Sequence, residues 1–589
     1  MEKTTRQILR ENIAKAVGDT KFDILIPPDS KLGDYSTNAA FRVAKNKEKP
    51  VDAAGVLKNL IIQDLDSMFD VQIAPNGFIN FYARPKFLQH QLGEIYKDSN
   101  YGQSEEGTGK KVIVEYSSPN IAKPMHIGHL RSTIIGDSLA NVYDKLGYET
   151  IRWNYIGDWG TQFGLLVLAL KEYLTKGGDI EVIKEDPINE INKLYIEIHK
   201  QIEISKKEIQ GDPLLSDGIT RKDFDVYEKA RQEFVKLEHG DKENRKIWEE
   251  FRNISLAYFA TVYAQLGMDI WHGKFKIKGE SDYESQLKPL IEELQKKGLA
   301  KESEGALIIE LGDMPPMMLR KTDGATLYAT RDIASLEDRI ENYHPDKILY
   351  VVANQQALHF EQLFAVAKKL GWTESELVHV KFGMVLGEDG KKLATREGKV
   401  VPLQEVIDKV TDMARETVKQ KNSNLSSEEM ERVAHVVAIG ALKYNDLKQH
   451  PYSDIEFDWK AMLDLSGNSG PYVQYTYSRL ASILRKAGNL QPTTNDLQFL
   501  DELSELRLMR QLLDYPEAIK ECAERYALNG LALYLYDLAH LANQFYEQVH
   551  VLEDENTPRR DARLLLIKTV ARTLKDGLAL LGIETLERI

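Results

Sequence analysis

The chain has 589 residues, 42% hydrophobic and 29% charged, with 77 basic and 91 acidic side chains, a formal charge of −14 and one cysteine, Cys522. This composition excludes a disordered chain and predicts a globular protein of about three to five domains, while one cysteine excludes an intrachain disulfide or a multi-cysteine zinc cluster and suits a reducing compartment. Apolar runs such as residues 436–439 fall far short of the roughly 18 residues of a membrane span, and the charged opening, Met1 to Arg6, has no signal-peptide core, so a cytoplasmic protein without a membrane partner is expected. The acidic average opposes indiscriminate nucleic-acid binding, so any such partner has to be met by local cations.

Residues 1–105 alternate helical and strand patterns and carry two glycine-punctuated segments, 32–36 and 76–81, the second a strand entered through a turn. They predict a small α/β N-terminal domain. Polar residues 104–110 (SEEGTGK) read as a linker. Residues 106–400 then read as a Rossmann-type parallel-sheet domain. Its first strand is 111–116, followed by Leu130, Ile134, Leu139, Val142 and Leu146 at near-helical spacing and a second strand at 150–155. That βαβ order implies a parallel sheet with a right-handed crossover. Residues 347–353 and 380–386 predict two more buried strands, separated by a helix over 356–370.

A charged stretch, about 174–254, predicts solvated helices inserted into this domain, anchored by an apolar stripe of Trp248, Phe251, Ile254, Leu256, Tyr258 and Phe259. Residues 401–450 predict a connecting helical segment and 451–589 an all-α C-terminal domain. Within it, 470–488 has Pro471 at a helix start, Val473, Tyr477, Leu480 and Leu484 on one face, and Gly488 at the end. Residues 556–589 are locally positive, with Arg559, Arg560, Arg563, Lys568, Arg572, Lys575 and Arg588 as candidate cations for a polyanion.

The string most informative for chemistry is Ser117-Ser118-Pro119-Asn120-Ile121-Ala122-Lys123-Pro124-Met125-His126-Ile127-Gly128-His129, between the first strand and its helix. Ligands bind beyond the carboxyl ends of strands in an open parallel sheet, and a helix N-terminus there offers free amides and a positive dipole end to phosphate. Two histidines three apart reach the same side, and Gly128 between them lets a base or ribose approach the backbone. Two histidines alone could equally be surface or capping residues; the full string argues for a nucleotide.

This string resembles the signature of class I aminoacyl-tRNA synthetases. With Glu115, Ser118, Asn120, Lys123 and His126 at their spacing, and Gly157-Asp158-Trp159-Gly160-Thr161-Gln162-Phe163-Gly164 following, it is similar to the arginyl-tRNA synthetases in particular. The resemblance runs on through residues 463–472 and 576–579. It implies ligation of L-arginine to tRNA(Arg) with ATP and Mg2+, no zinc, a monomer, and tRNA bound before efficient adenylate formation. His126, Gly128 and His129 would hold ATP. The family's second lysine-bearing signature falls at Lys392-Leu393-Ala394-Thr395-Arg396, where Thr395 replaces its second lysine, and the resemblance implies that Lys123 substitutes for it, with Lys392 and Arg396 as further cations.

The resemblance assigns Ser118, Asn120, His126 and Gln356 to the α-amino end of arginine and Tyr328 and Asp332 to its guanidinium. A planar five-donor cation suits a bidentate carboxylate, and residues four apart face one way on a helix. Glu280 is a second candidate acid, and Glu115 is expected to organise Lys123 or its loop. Phe78 and Asn80 match positions that touch the tRNA elbow, and the C-terminal domain resembles the anticodon-binding one. There Tyr472, Gln474, Tyr475, Tyr477 and Arg479 offer stacking faces and donors, half of the tyrosines being core by the helical period. Rivals are a cysteinyl enzyme, whose zinc site one cysteine disfavours, a glutamyl enzyme, which needs cations where Tyr328 and Asp332 stand, and a noncatalytic RNA-binding relative.

Overall fold

The computed structural model describes residues 3–18, 20–44, 49–208, 221–270, 275–321, 326–387, 390, 401–422, 425–488 and 493–589. At the N-terminus, β1 (Ile24–Leu25), β2 (Tyr35–Thr37), β3 (Phe69–Ile73) and β4 (Ile79–Ala83) form an antiparallel sheet in the order β1-β2-β4-β3. Helices Thr5–Val17 and Pro50–Leu65 bring Leu9, Ile13, Leu57 and Ile61 to a core shared with Phe69 and Phe81 of the sheet. The strand expected after Gly77 is β4.

The central sheet is built from β5 (Lys111–Glu115), β6 (Glu149–Ile156) and β7 (Phe275–Gly279), and later from β11 (Lys347–Ala353) and β12 (Glu376–Phe382). Its order is β12-β11-β5-β6-β7 and every neighbour is parallel. The signature helix, Ile127–Lys145, links β5 to β6 as the spacing predicts. Between β6 and β7 the charged stretch is helical, with Pro187–Glu208, Arg221–Glu238 and Lys242–Gln265. Trp248, Phe251, Leu256 and Phe259 of its stripe are buried.

Three departures from the sequence reading have physical causes. The edge strand β7 was not predicted; five residues with two lysines give no apolar run. A three-stranded antiparallel unit, β8 (Ala300–Ser303), β9 (Ala306–Leu311) and β10 (Met314–Arg320), precedes the helix Tyr328–Tyr343. Its third strand holds Pro315 and Pro316, which argue against a strand except at an edge, where β10 lies. The single strand expected over 380–386 is broken: after β12 the Gly383 amide bonds Pro451 and the Met384 amide bonds Asp454, so β13 (Val385–Leu386) pairs with β14 (Ile455–Glu456) instead.

The helices Leu403–Lys421 and Ser427–Leu447 pack as a pair. The remainder is helical, chiefly Gly470–Ala487, Leu503–Leu512, Tyr515–Arg525, Asn529–Gln548 and Thr557–Leu580. Among the described residues no helix is long and apolar enough to cross a membrane.

Candidate active site

Because its strands are parallel, the central sheet sends the loops after β5, β6, β7 and β11 out of one edge, and the first turns of helices Ile127–Lys145 and Ala357–Leu370 start there. The loop after β5 is tightly specified. Ser117, Ser118 and Ala122 hold positive φ values of 71°, 45° and 63°, a conformation that costs free energy in non-glycine residues. Side chains fix it: Ser132 Oγ and Asn154 Oδ1 accept from the amides of Ser117 and Ser118, and Ser255 Oγ accepts from that of Ala122. Ser118 Oγ is buried with no partner among the described residues, leaving a hydroxyl for a ligand.

His126 caps the signature helix. Its Nδ1 accepts from the Gly128 amide at 3.1 Å, and His129 Nδ1 accepts from the His126 amide at 3.1 Å, with ring centroids 3.9 Å apart. Accepting at Nδ1 leaves the ring proton of a neutral His129 on Nε2. Burial, helped by His126, pushes the His129 pKa down to about 3, so it acts as a neutral donor. The cation here is Lys123, whose Nζ stands 4.2 Å from the centre of the Tyr195 ring on the inserted helix Pro187–Glu208. Lys392 and Arg396 lie outside the described residues; the chain beyond them pairs with the signature, Ile127 N bonding Val401 O and Leu403 N bonding Met125 O.

Asn120 is exposed, bridging by its backbone to Gly157, and Gln356 is exposed just past β11. The Asn120 side chain lies over Gly157, where a Cβ would stand 2.0 Å from Oδ1 and would turn that amide away. Tyr328, 57% exposed, opens the helix Tyr328–Tyr343. Asp332, one turn on, is bonded by His359 Nε2 at 2.7 Å. Glu280 follows β7, and burial, opposed by Arg331 and aided by Asp332 and Asp158, pushes its pKa up to about 8. The Tyr155 hydroxyl, buried with no partner among the described residues, is pushed up by burial and by the charges of Asp332 and Glu280. Two acids and a phenol thus gather at one place, a receptor suited to a cation with several N–H groups.

Sequence reasoning missed what holds Glu280. Asp158 Oδ1 accepts from the Ser281 amide at 2.9 Å, while Oδ2 accepts from Ser281 Oγ at 2.8 Å and Arg252 Nε at 3.0 Å. Trp248 Nε1 donates to the Asp158 carbonyl at 2.7 Å. The Gly157-Asp158-Trp159-Gly160 string was visible, but its partners lie 94 and 123 positions away. Glu115 departs from expectation. It pairs with the fully buried Arg339 of helix Tyr328–Tyr343 and not with Lys123. Arg339 also lies 4.7 Å from the Trp153 ring centre and 5.2 Å from that of Tyr350. Glu115 therefore fixes the helix that carries Tyr328 and Asp332.

The remote candidates are spread apart. Asn80 is buried, accepting from Ser36 Oγ at 2.7 Å, and the half-buried Phe78 ring packs on Phe41 with centroids 5.0 Å apart. On helix Gly470–Ala487, Gln474 and Tyr477 are buried, Tyr472 and Tyr475 half-buried and Arg479 exposed, the division the helical period predicts. Tyr472 meets Tyr536, and Arg479 lies 5.1 Å from the exposed Tyr546 ring, so helix Asn529–Gln548 extends this aromatic ridge. Three of the cations expected in residues 556–589 to meet a polyanion are engaged within the fold. Arg563 is buried against Glu502, Glu505 and Asp554, Arg559 pairs with Asp554, and Arg572 donates to carbonyls of residues 95 and 96.

Three family models match in succession: "Arginyl tRNA synthetase N terminal domain" over residues 3–83, "tRNA synthetases class I (R), catalytic domain" over 91–459 and "DALR anticodon binding domain" over 473–589. The arginine–tRNA ligase of Saccharophagus degradans is 37% identical over 602 residues, covering 99% of this chain and 100% of its own. That of Lactococcus lactis subsp. lactis is 38% identical, covering 96% and 95%. Among solved structures, the arginyl-tRNA synthetase of Thermus thermophilus aligns with a TM-score of 0.78 at 26% identity over 99% of this chain and 100% of that one, and the Plasmodium falciparum enzyme with 0.76 at 26% over 99% and 98%. With full-length relatives and an acidic pocket beside a histidine-capped helix N-terminus, the chain belongs to the arginyl-tRNA synthetases, in class I.

Proposed function

We propose that this protein is an arginine–tRNA ligase: ATP and L-arginine give arginyl-adenylate and pyrophosphate, and a terminal hydroxyl of tRNA(Arg) then attacks the mixed anhydride and releases AMP. The observation that carries this reading is the meeting, at one sheet edge, of the signature helix with the acids Asp332 and Glu280. Asp332 and Tyr328 receive the guanidinium, with Glu280 as second acid; a bidentate pair supplies geometry and energy together. Ser118, Asn120, His126 and Gln356 take the α-amino end. His126, Gly128 and His129 hold ATP at the helix N-terminus, His129 as a neutral donor. Lys123, with Lys392 and Arg396, meets charge developing on the α-phosphoryl group and pyrophosphate. Catalysis is positioning and electrostatics.

Magnesium would enter with ATP and would supply positive charge to its phosphates. Among the described residues no group of three or more His, Cys, Asp or Glu side chains gathers that could hold a metal. Residues 1–105 meet the tRNA elbow through Phe78 and Asn80, and residues 451–589 the anticodon through Tyr472, Tyr475 and Arg479. On this reading the enzyme works as a cytoplasmic monomer and activates arginine efficiently only with tRNA bound. The test is charging of a matched tRNA mixture with ATP and each amino acid in turn. Charging with arginine alone is expected; charging with another amino acid, or tRNA binding without charging, overturns the reading.

A further inference from the structure

Asp332 can form a bidentate pair only if its carboxylate plane is held toward the incoming guanidinium, and an aspartate on a helix has several rotamers available. Its partner stands on a different helix. His359, in the first turn of Ala357–Leu370, brings Nε2 to 2.7 Å from Asp332 Oδ2. The pair is largely withdrawn from water, with side-chain exposures of 11% for His359 and 22% for Asp332. The imidazole is itself wedged. Its ring centroid lies 5.0 Å from that of Tyr328 and 5.4 Å from that of Phe360, edge to face with the latter. One contact therefore joins both groups assigned to the guanidinium, the Asp332 carboxylate by a hydrogen bond and the Tyr328 ring by packing.

An ionised carboxylate only accepts, so His359 must donate from Nε2. That donation uses one lone pair on Oδ2. The other lone pair of Oδ2, and Oδ1, which has no partner among the described residues, remain for two guanidinium N–H groups. A lysine or arginine in this place would also donate, but as a permanent cation it would repel the ligand; an imidazole can donate while neutral.

We propose that His359 is a positioning residue for arginine recognition, orienting the Asp332 carboxylate so that its free edge meets a guanidinium in bidentate fashion. This rests on the assignment of Asp332 to the guanidinium. His359 touches neither ATP nor the reacting carboxyl group in this scheme, so its effect belongs in the arginine KM and not in kcat.

The test uses full-length protein with three substitutions, measuring steady-state charging with tRNA(Arg). His359→Phe fills the ring's place between Tyr328 and Phe360 without a donor; His359→Gln keeps an N–H at a similar reach. Loss of a hydrogen bond to a charged group predicts an arginine KM about tenfold or more higher in His359→Phe, with kcat and the ATP KM within about twofold of wild type. His359→Gln is expected to recover most of that loss. Asp332→Asn is expected to raise the arginine KM whether or not His359 orients the carboxylate. If Asp332→Asn does so while His359→Phe leaves it within about twofold, or His359→Gln is as impaired as His359→Phe, the positioning role is overturned and the site stands. If Asp332→Asn leaves the arginine KM unchanged, the guanidinium site lies elsewhere and both readings fall.

Discussion

Two carboxylates that face one cation need not both be ionised before the cation arrives. With its pKa pushed up to about 8 by burial, Glu280 is largely protonated in the ligand-free protein near neutral pH. A guanidinium beside it favours the anion, so arginine binding should release a proton. Below about pH 8 the affinity for arginine is then expected to weaken as pH falls, since more of the free protein must lose a proton before the pair forms; above that it levels off. Calorimetry in two buffers of different ionisation enthalpy should find close to one proton released at about pH 7, and none from this source in Glu280→Gln. Equal release from both proteins would remove Glu280 from the pocket. Lys123 makes a second residue-scale claim. With Thr395 in place of a second loop lysine, and His129 neutral, it is the cation assigned to the phosphates that stands among the described residues, so Lys123→Ala should slow adenylate formation at least about tenfold, or about 1.4 kcal/mol. Pre-steady-state activation at the wild-type rate would sink it. Lys123 and the two histidines were legible as candidates because they stand in a contiguous string whose chemistry is the local physics of a helix N-terminus, whereas Glu280, outside it, was offered by the resemblance alone. The His359 bond to Asp332 was not, because nothing in a helix pattern says which neighbouring helix supplies a partner 27 positions away.

The elements divide by how local their causes are. Strands 111–115, 149–156 and 347–353 and the helix 470–487 announced themselves by β-branched runs or a capped 3.6 period. The short strands β7, β8 and β10 did not, because charge or proline masks an edge strand, and the brief apolar run of β9 between them is too short to tell strand from helix by its period. Their placement matters, since the turn after β7 carries Glu280. That turn is clamped from the loop after β6 by Asp158, itself braced by Arg252 and Trp248 of the inserted helix Lys242–Gln265. A charged insertion that reads as solvated surface therefore supports the guanidinium pocket from behind. The clamp leaves no room for a side chain at Gly279, where a Cβ would meet Asp158 Oδ2 at 2.1 Å. Gly279→Ala must displace Asp158 or the turn. The expected result is a loss of arginine affinity of at least about tenfold, the scale of one buried charge-assisted hydrogen bond, with ATP affinity little changed. Parallel titrations of arginine and ATP check it, and equal weakening of both would instead mean a general loosening of the sheet edge.

At the scale of the whole molecule, the chain's two ends are fastened to each other. Arg510 and Asp514, on consecutive C-terminal helices, form an ion pair at 2.5 Å, and the Tyr35 hydroxyl of β2 donates to Asp514 at 3.0 Å. Arg510 stacks on the Tyr35 ring at 4.2 Å and donates to the Asp34 carbonyl, while Arg6 reaches Asp514 and Glu521. All three central groups are buried, Tyr35 completely. The net charge of −14 first argued only that a polyanion must meet local cations, and the last helix looked like their source. Several of its arginines instead hold the fold together, so a polyanion is better held by shape matched across distant units whose spacing is fixed. The clasp sets that spacing between the N-terminal sheet and the C-terminal helices. Removing one member of a buried pair strands the other charge without solvent, at a cost of about 3–5 kcal/mol, whereas replacing both by apolar groups of similar volume is often neutral. Asp514→Ala should therefore lower the thermal midpoint and raise the KM for tRNA while the arginine and ATP values hold. The double variant Arg510→Met with Asp514→Leu should recover much of the stability. If the two together are as unstable as the sum of the single losses, the pair contributes no coupling and the clasp is only a packing contact.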